Sequence, residues 1–453
     1  MVTASASNKR KKKAKKGGKR KPVNLQANFN RKCGVSAVGG AAELGGLEAA
    51  PFEPLRADMF PSNHHEEERE AGEAASSGGN ATPSAAGDSS CGDFHLHSDG
   101  KLKPRDVIAK AAGNGVTFMS LTDHDTMAGV PEAMAAAREL NVLVFPGVEI
   151  SAEVKGGENL HILGYFFPGS NSAELETQLE KIRNGRHKRG KEMLRKLEGM
   201  GIKLKWDRVL EIAGEAAPGR PHVAEALVEA GHVANFREAF ARYLHNDGPA
   251  YVEGEHFPPE EAIKLIASAG GVSVLAHPWC CKVLFHCMDE LLVFPVDLWL
   301  SMDPIKLIPE LAALGIQGVE VFQDANKLDL YGSLARESGL LMMGGSDFHG
   351  IDPKMERAPG GIPFPRKYID VFLEHAKRVW EQPLASKLQS LADEVRANGR
   401  QEPSEELLIW CEQEEFARQT VADLGLEIQV SRDAEVDAPD RPGDGHYRTI
   451  RVA

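Results

Sequence analysis

The sequence predicts an α/β protein, a parallel sheet or barrel interrupted by an all-helical insertion. From Asp93 onward, short apolar runs alternate with stretches of helical pattern: Phe118 to Leu121, then Val130 to Leu140, then Val142 to Val148. Alternation of this kind builds strands joined by crossover helices. Over about 171–250 the strand pattern stops and helical stretches follow one another, at about 172–200, 206–213, 221–231 and 235–245. The rhythm then returns with Gly271 to Ala276, Gly318 to Phe322 and Leu340 to Gly344.

These shifts divide the chain. Residues 1–90 read as a disordered basic tail followed by an Ala/Gly/Ser linker. Barrel segments are expected over 91–170 and 251–380, flanking the insertion at 171–250. Residues 381–453 read as a helical extension ending in a polar tail from Ser431. Within Lys9–Lys21, ten of thirteen residues are basic. Such a run suits a nuclear address, a contact with nucleic acid or an import receptor, or a merely solvated tail; a nuclear or cytoplasmic protein is expected. A plastid or mitochondrial transit peptide is the rival, although those signals favour Arg and Ser over Lys.

Charge and cysteine usage exclude several classes. Residues 1–42 carry twelve Lys/Arg and no Asp/Glu, so a net charge of −13 for the chain leaves −25 for the remainder. An acidic body argues against a broad nucleic-acid surface and suits the recruitment of divalent cations. Six cysteines give no disulfide framework or usual zinc spacing, which points to reduced thiols. No membrane span is expected, because the most apolar stretch, Val283–Leu300, contains His286, Asp289, Glu290, Pro295 and Asp297.

Ionisable residues recur at the ends of the apolar runs. Asp93-Phe94-His95-Leu96-His97 opens the series, and in a strand His95 and His97 share one side. Alone, this pair also fits two half-exposed strand histidines. Leu121-Thr122-Asp123-His124-Asp125 places two carboxylates around His124, and Val144–Ser151 delivers Glu149. His161 begins the next run instead of ending it; His277 and then Asp347-Phe348-His349 close the later ones. Each has a bland reading, Glu149 as half of a salt bridge or His277 as a strand cap. Together they would converge on one mouth of a barrel, where burying so many charges without compensation would be very costly. Bound metal ions supply the compensation, and a donor set without thiolate suits Mn, Zn, Fe or Mg. In the insertion, Gly219-Arg220-Pro221-His222 is either an ordinary helix start or a phosphate grip, with Arg220 bidentate and His222 binding or donating a proton.

The runs DFHLHS, SLTDHDTMAG, PGVEIS, HILGY, GRPHVA, VLAHPW and GGSDFHG occur in that order. Over about residues 92–365 the chain thereby resembles the PHP (polymerase and histidinol phosphatase) metallophosphoesterases. Within them it is most similar to stand-alone enzymes acting on nucleoside 3′,5′-bisphosphates and short 5′-phosphorylated RNA. The resemblance implies a distorted (β/α)7 TIM-like barrel and two or three divalent ions, manganese ahead of zinc, iron or magnesium. It implies one ion on His95, His97, Glu149 and Asp347, and a second sharing Glu149 and adding His161 and His277. A third would take Asp99, His124 and His349. Arg220 and His222 would hold the substrate phosphate beside Asp99, and His222 and Asp347 would serve catalysis. The implied nucleophile is a metal-bridging hydroxide, releasing phosphate from the 3′ position of a bisphosphate or a nucleotide from RNA.

The chain departs from the family pattern twice. Asp99 follows His97 by only two residues, where relatives carry a longer loop, and strand geometry would aim it at the face of His97, short of the third ion. Residues 281–301 interpose an apolar segment that reads as a lid, a partner surface or a gene-model artefact. These departures keep open a second reading, a catalytically impaired PHP-domain protein with a regulatory or RNA-associated role. Amide or lactone hydrolysis on a similar barrel is weaker, because no lysine occupies a comparable strand end.

Overall fold

A computed structural model of the chain describes residues 91–153, 159–170, 172–214, 217–245, 248–252, 257–280, 303–323, 325–351, 356–399, 403–432 and 446–453. The tail and linker expected over 1–90 and the apolar insert expected over 281–301 lie outside them. Seven strands form one sheet in sequence order: β1 (Cys91–Leu96), β2 (Val116–Leu121), β3 (Leu143–Glu153), β4 (Asn159–Tyr165), β5 (Val272–Leu275), β6 (Gly318–Glu320) and β7 (Leu341–Met343). Helices α1 (Pro104–Gly113) and α2 (Val130–Leu140) supply the first crossovers, each with a proline in its first turn. The later short strands β5, β6 and β7 are buried along their whole length, as strands covered on both faces should be.

The sheet curls back on itself. The Phe94 N–H donates to the Gly344 carbonyl at 3.1 Å, Asp347 N–H to His95 at 3.0 Å and His97 N–H to Phe348 at 3.0 Å. The segment leaving β7 thus pairs with β1, giving a distorted seven-stranded α/β barrel. Buried Asp93 fastens this seam by accepting from the backbone N–H of Ser346 (2.9 Å) and Gly360 (2.8 Å). Gly345 lies at the closest approach, where any Cβ would collide with His95.

Not every strand is parallel. β4 runs antiparallel to both β3 and β5, while the β1–β2, β2–β3, β5–β6 and β6–β7 pairs are parallel. An antiparallel strand brings its N-terminal end to the mouth at which its neighbours end. That is why His161 stands at the start of its apolar run while Glu149 and His277 come late in theirs.

The insertion contains α3 (Ala173–Gly199), α4 (Trp206–Ala213), α5 (Arg220–Glu229) and α6 (Phe236–Ala239), the last passing into a π-turn over Phe240–Leu244. Ser172 caps α3 by accepting from the Leu175 N–H at 3.2 Å. The insertion has its own apolar core, built on Met193, Leu197, Val209, Val223, Leu227 and Leu244. Between the insertion and β5 runs α7 (Pro259–Ser268), and α8 (Pro304–Ala313) and α9 (Leu328–Ser338) flank β6.

The C-terminal part differs from expectation. Helix α10 (Arg366–Ala397) runs unbroken across the boundary expected at 380, with Trp380 buried against Phe145 and Phe372. Beyond it, β8 (Leu407–Trp410), α11 (Glu414–Asp423), β9 (Ile428–Arg432) and β10 (Tyr447–Val452) build a three-stranded antiparallel sheet with β10 in the centre. The expected polar tail therefore ends in a central strand. Tyr447, Ile450 and Val452 are buried in the same core as the barrel. The polar look of this strand comes from Arg448 and Arg451, which pair with Glu414 and Glu406.

Candidate metal centre

Alternation along β1 sends Phe94 toward Phe372, Tyr165 and Phe145, and leaves His95 and the following His97 on the other side. The two imidazoles lie 4.9 Å apart, centroid to centroid. β3 brings Glu149 beneath them, fully buried. Five imidazoles surround its carboxylate. Oε2 lies 3.4 Å from His95 Nε2, 3.3 Å from His97 Nε2 and 3.0 Å from His124 Nε2. Oε1 lies 2.7 Å from His161 Nδ1 and 3.0 Å from His277 Nε2. Burial pushes the Glu149 carboxyl up, but His161, His124 and His95 outweigh it and hold it well below the usual range.

Asp347 faces the same pair of histidines, with Oδ1 3.5 Å from His95 Nε2 and 3.4 Å from His97 Nε2. His349 stacks on His97 at 4.0 Å. Asp347 (φ 57°), His277 (φ 28°) and Asp125 (φ 54°) all occupy the left-handed region. Non-glycine residues are held there only when their surroundings demand it, and such positions cluster at functional sites.

The shortened loop does not separate Asp99 from the rest. β1 ends at Leu96, so the two-apart rule of a strand does not govern Asp99. Asp123 turns the chain by accepting from the Ser98 N–H (2.6 Å), the Ser98 hydroxyl (2.6 Å) and the Asp99 N–H (3.3 Å). Asp99 Oδ2 then lies 3.0 Å from His124 Nδ1 and Oδ1 lies 3.4 Å from His97 Nδ1. Donor atoms of His97, Asp99, His124 and His349 all fall within 4.8 Å of one another. So do those of His95, His97 and Asp347, and those of His124, Glu149 and His161.

The donor set fits divalent ions. His95 Nε2, both ring nitrogens of His97, Asp99 Oδ1 and Glu149 Oε2 are buried and make no hydrogen bond. Polar atoms so placed are costly unless something engages them, and imidazoles with carboxylates are the ligands of Mn, Zn, Fe and Mg.

Several contributing residues carried no clear sequence signal. Glu320, at the end of an apolar strand, is buried with Oε1 3.0 Å from His95 Nδ1. Of the carboxylates flanking His124, Asp123 shapes the loop, while Asp125 Oδ2 forms an ion pair with Arg186, 3.1 Å from its Nε, and the Asp125 carbonyl accepts from Arg183 at 2.7 Å. Both arginines come from α3, which is thereby pinned to the barrel rim. A lone glutamate in Gly318–Phe322 and arginines in a charged helix look ordinary in one dimension.

His222 lies close enough to Asp99 and His124 to feel their charges. Its Nδ1 accepts from the Gly219 N–H at 2.9 Å, and burial, with Arg186 nearby, pushes its pKa down to about 4. It is therefore a neutral imidazole at pH 7 with its proton on Nε2. Arg220 lies over the rings of Phe240 and Tyr251, at 5.9 and 5.7 Å, with Nη1 3.4 Å from the Leu244 carbonyl.

A curled α/β sheet with this cluster at its mouth defines a metal-dependent hydrolase. Comparison with known proteins gives the family. Residues 93–218 match the PHP domain. A 5′-3′ exoribonuclease of Haemophilus influenzae is 34% identical over 264 residues, covering 57% of this chain and 89% of that protein. A 3′,5′-nucleoside bisphosphate phosphatase of Chromobacterium violaceum is also 34% identical over 264 residues, 57% of this chain and 86% of its own length. The crystal structure of a Bifidobacterium adolescentis protein described as a metal-dependent phosphoesterase superposes with a TM-score of 0.51 at 26% identity, over 63% of this chain and 96% of that one. The chain belongs to the PHP family, as a metal-dependent phosphoester hydrolase.

Proposed function

We propose that the protein hydrolyses phosphoesters of nucleotides, taking the 3′-phosphate from nucleoside 3′,5′-bisphosphates or a nucleotide from short 5′-phosphorylated RNA. The observation that carries this reading is the Glu149 carboxylate ringed by five imidazoles, with buried donor atoms of His95, His97 and Asp99 aimed into the same space. Two or three divalent ions, manganese foremost, would be held on His95, His97, Glu149 and Asp347, on Glu149, His161 and His277, and on Asp99, His124 and His349. When bound, such ions supply a hydroxide near neutral pH and the positive charge that offsets the phosphoryl oxygens.

The chain's own groups divide the remaining work. His222, neutral with its proton on Nε2, can donate a hydrogen bond to a phosphate oxygen without changing charge near pH 7. Arg220, within cation–π range of Phe240 and Tyr251, would offer its fork for a second phosphate contact. Asp99 and Asp347, both on the cluster, would orient the leaving side of the substrate and the ions. The names of the two relatives, a 3′,5′-nucleoside bisphosphate phosphatase and a 5′-3′ exoribonuclease, support this substrate class.

The test is a panel of adenosine 3′,5′-bisphosphate, a 5′-phosphorylated oligoribonucleotide and histidinol phosphate, each with Mn²⁺. Phosphate or nucleotide release from the first two is expected. His349→Ala should lower it by at least ~100-fold, the upper order of loss seen when outer partners of a metal site are removed. Turnover of histidinol phosphate alone, or full activity of His349→Ala, would overturn the reading.

A further inference from the structure

Glu320 is fully buried at the end of β6, in a strand that is otherwise apolar. Both of its oxygens are engaged, and by residues far apart in sequence. Oε1 lies 3.0 Å from His95 Nδ1, on β1. Oε2 accepts from the backbone N–H of His277 at 2.7 Å, just after β5. We propose that Glu320 is a positioning residue that aims His95 and His277 together at the Glu149 side of the metal centre. The inference rests on the metal-dependent reading above.

A carboxylate accepting from Nδ1–H places the imidazole lone pair on Nε2. In His95 that is the atom 3.4 Å from Glu149 Oε2 and 3.5 Å from Asp347 Oδ1. At His277 the same carboxylate holds the main chain at φ 28°, an unfavourable value for a residue with a Cβ. There the ring Nε2 lies 3.0 Å from Glu149 Oε1. Glu320 makes its hydrogen bonds and ion pair to His95 and His277 and none to Asp99, His124 or His349, so its influence should be confined to one side of the cluster. Only an ionised carboxylate can accept at both oxygens. A glutamine would accept at one and present N–H to the other donor.

The experiment is a calorimetric titration of metal-stripped full-length protein with Mn²⁺, for wild type and Glu320→Gln. Folding is checked by circular dichroism and by melting in chelator. Wild type should bind at least two ions. Glu320→Gln should weaken those of the His95 and His277 side by about 10- to 100-fold, the range for outer partners of metal ligands. Binding at the Asp99–His124–His349 group should stay within about twofold of wild type. Unchanged affinity throughout would overturn the proposal and leave the proposed function standing. An equal loss at every ion together with a lower melting point in chelator would also overturn it, as the mark of a merely structural group. Failure of wild type to bind any ion would instead sink the underlying reading, and is seen before the variant is examined. If Glu320→Gln does not fold, Glu320→Asp, too short to span both donors, should show the same one-sided loss, and unchanged affinity there would overturn the proposal.

Discussion

Five imidazoles within 3.4 Å of one buried carboxylate cannot all be satisfied by Glu149 alone, and this imbalance points to cations. A contrasting buried histidine has no such role. His375, on α10, accepts from the Gln317 side-chain amide at 3.1 Å, and burial, with Arg378 secondary, pushes its pKa from an ordinary 6.5 down to about 4. The unfolded chain binds this proton more readily than the folded one. Its contribution to stability is therefore fully present above pH 6.5 and is lost as pH falls toward 4. Between pH 7 and 4.5 the wild type should lose roughly 2–3 kcal/mol more than His375→Gln, measured by urea unfolding. Equal losses would show that His375 does not titrate in this window. At this scale the sequence exposed the histidines and carboxylates that end apolar runs, because charge there is unusual. It hid Glu320 and the loop-shaping role of Asp123, whose partners lie far away in sequence. The place of Asp99 beside His124 depends on a local fact that spacing does not report, the end of β1 at Leu96.

Strand direction governs how the elements present their side chains. β4 is antiparallel, and its leading histidine meets the trailing residues of β3 and β5. The periodicity of an apolar run does not report its direction, so only the odd position of His161 hinted at the reversal. The C-terminal sheet was illegible for another reason, since its central strand carries two arginines whose partners lie on other elements. Its attachment is specific. The Tyr447 hydroxyl donates to the Val144 carbonyl at 2.8 Å and accepts from the Val144 N–H at 2.6 Å. This satisfies β3 ahead of Gly147, where pairing with β4 begins. Tyr447→Phe leaves both groups buried without that partner and should cost about 1–3 kcal/mol in chemical denaturation. A change below about 0.5 kcal/mol would show that the sheet is an independent appendage.

Over the whole molecule, the barrel and the insertion have separate cores. Arginines of α3 join them at the rim through Asp125, which puts the helical layer beside the cluster. The α/β alternation and the helical interruption were both plain in the sequence, because each depends on local periodicity. Closure of the sheet was not, because it depends on the pairing of β1 with the segment after β7. The arrangement has one central consequence, that the barrel mouth holds divalent ions and works only with them. Elemental analysis of the purified, Mn²⁺-equilibrated protein tests this most directly, combined with phosphate release from adenosine 3′,5′-bisphosphate before and after chelation. Two or three ions per chain are expected, with activity lost on chelation and restored by Mn²⁺. Undiminished phosphate release from protein shown to hold no metal would contradict the account.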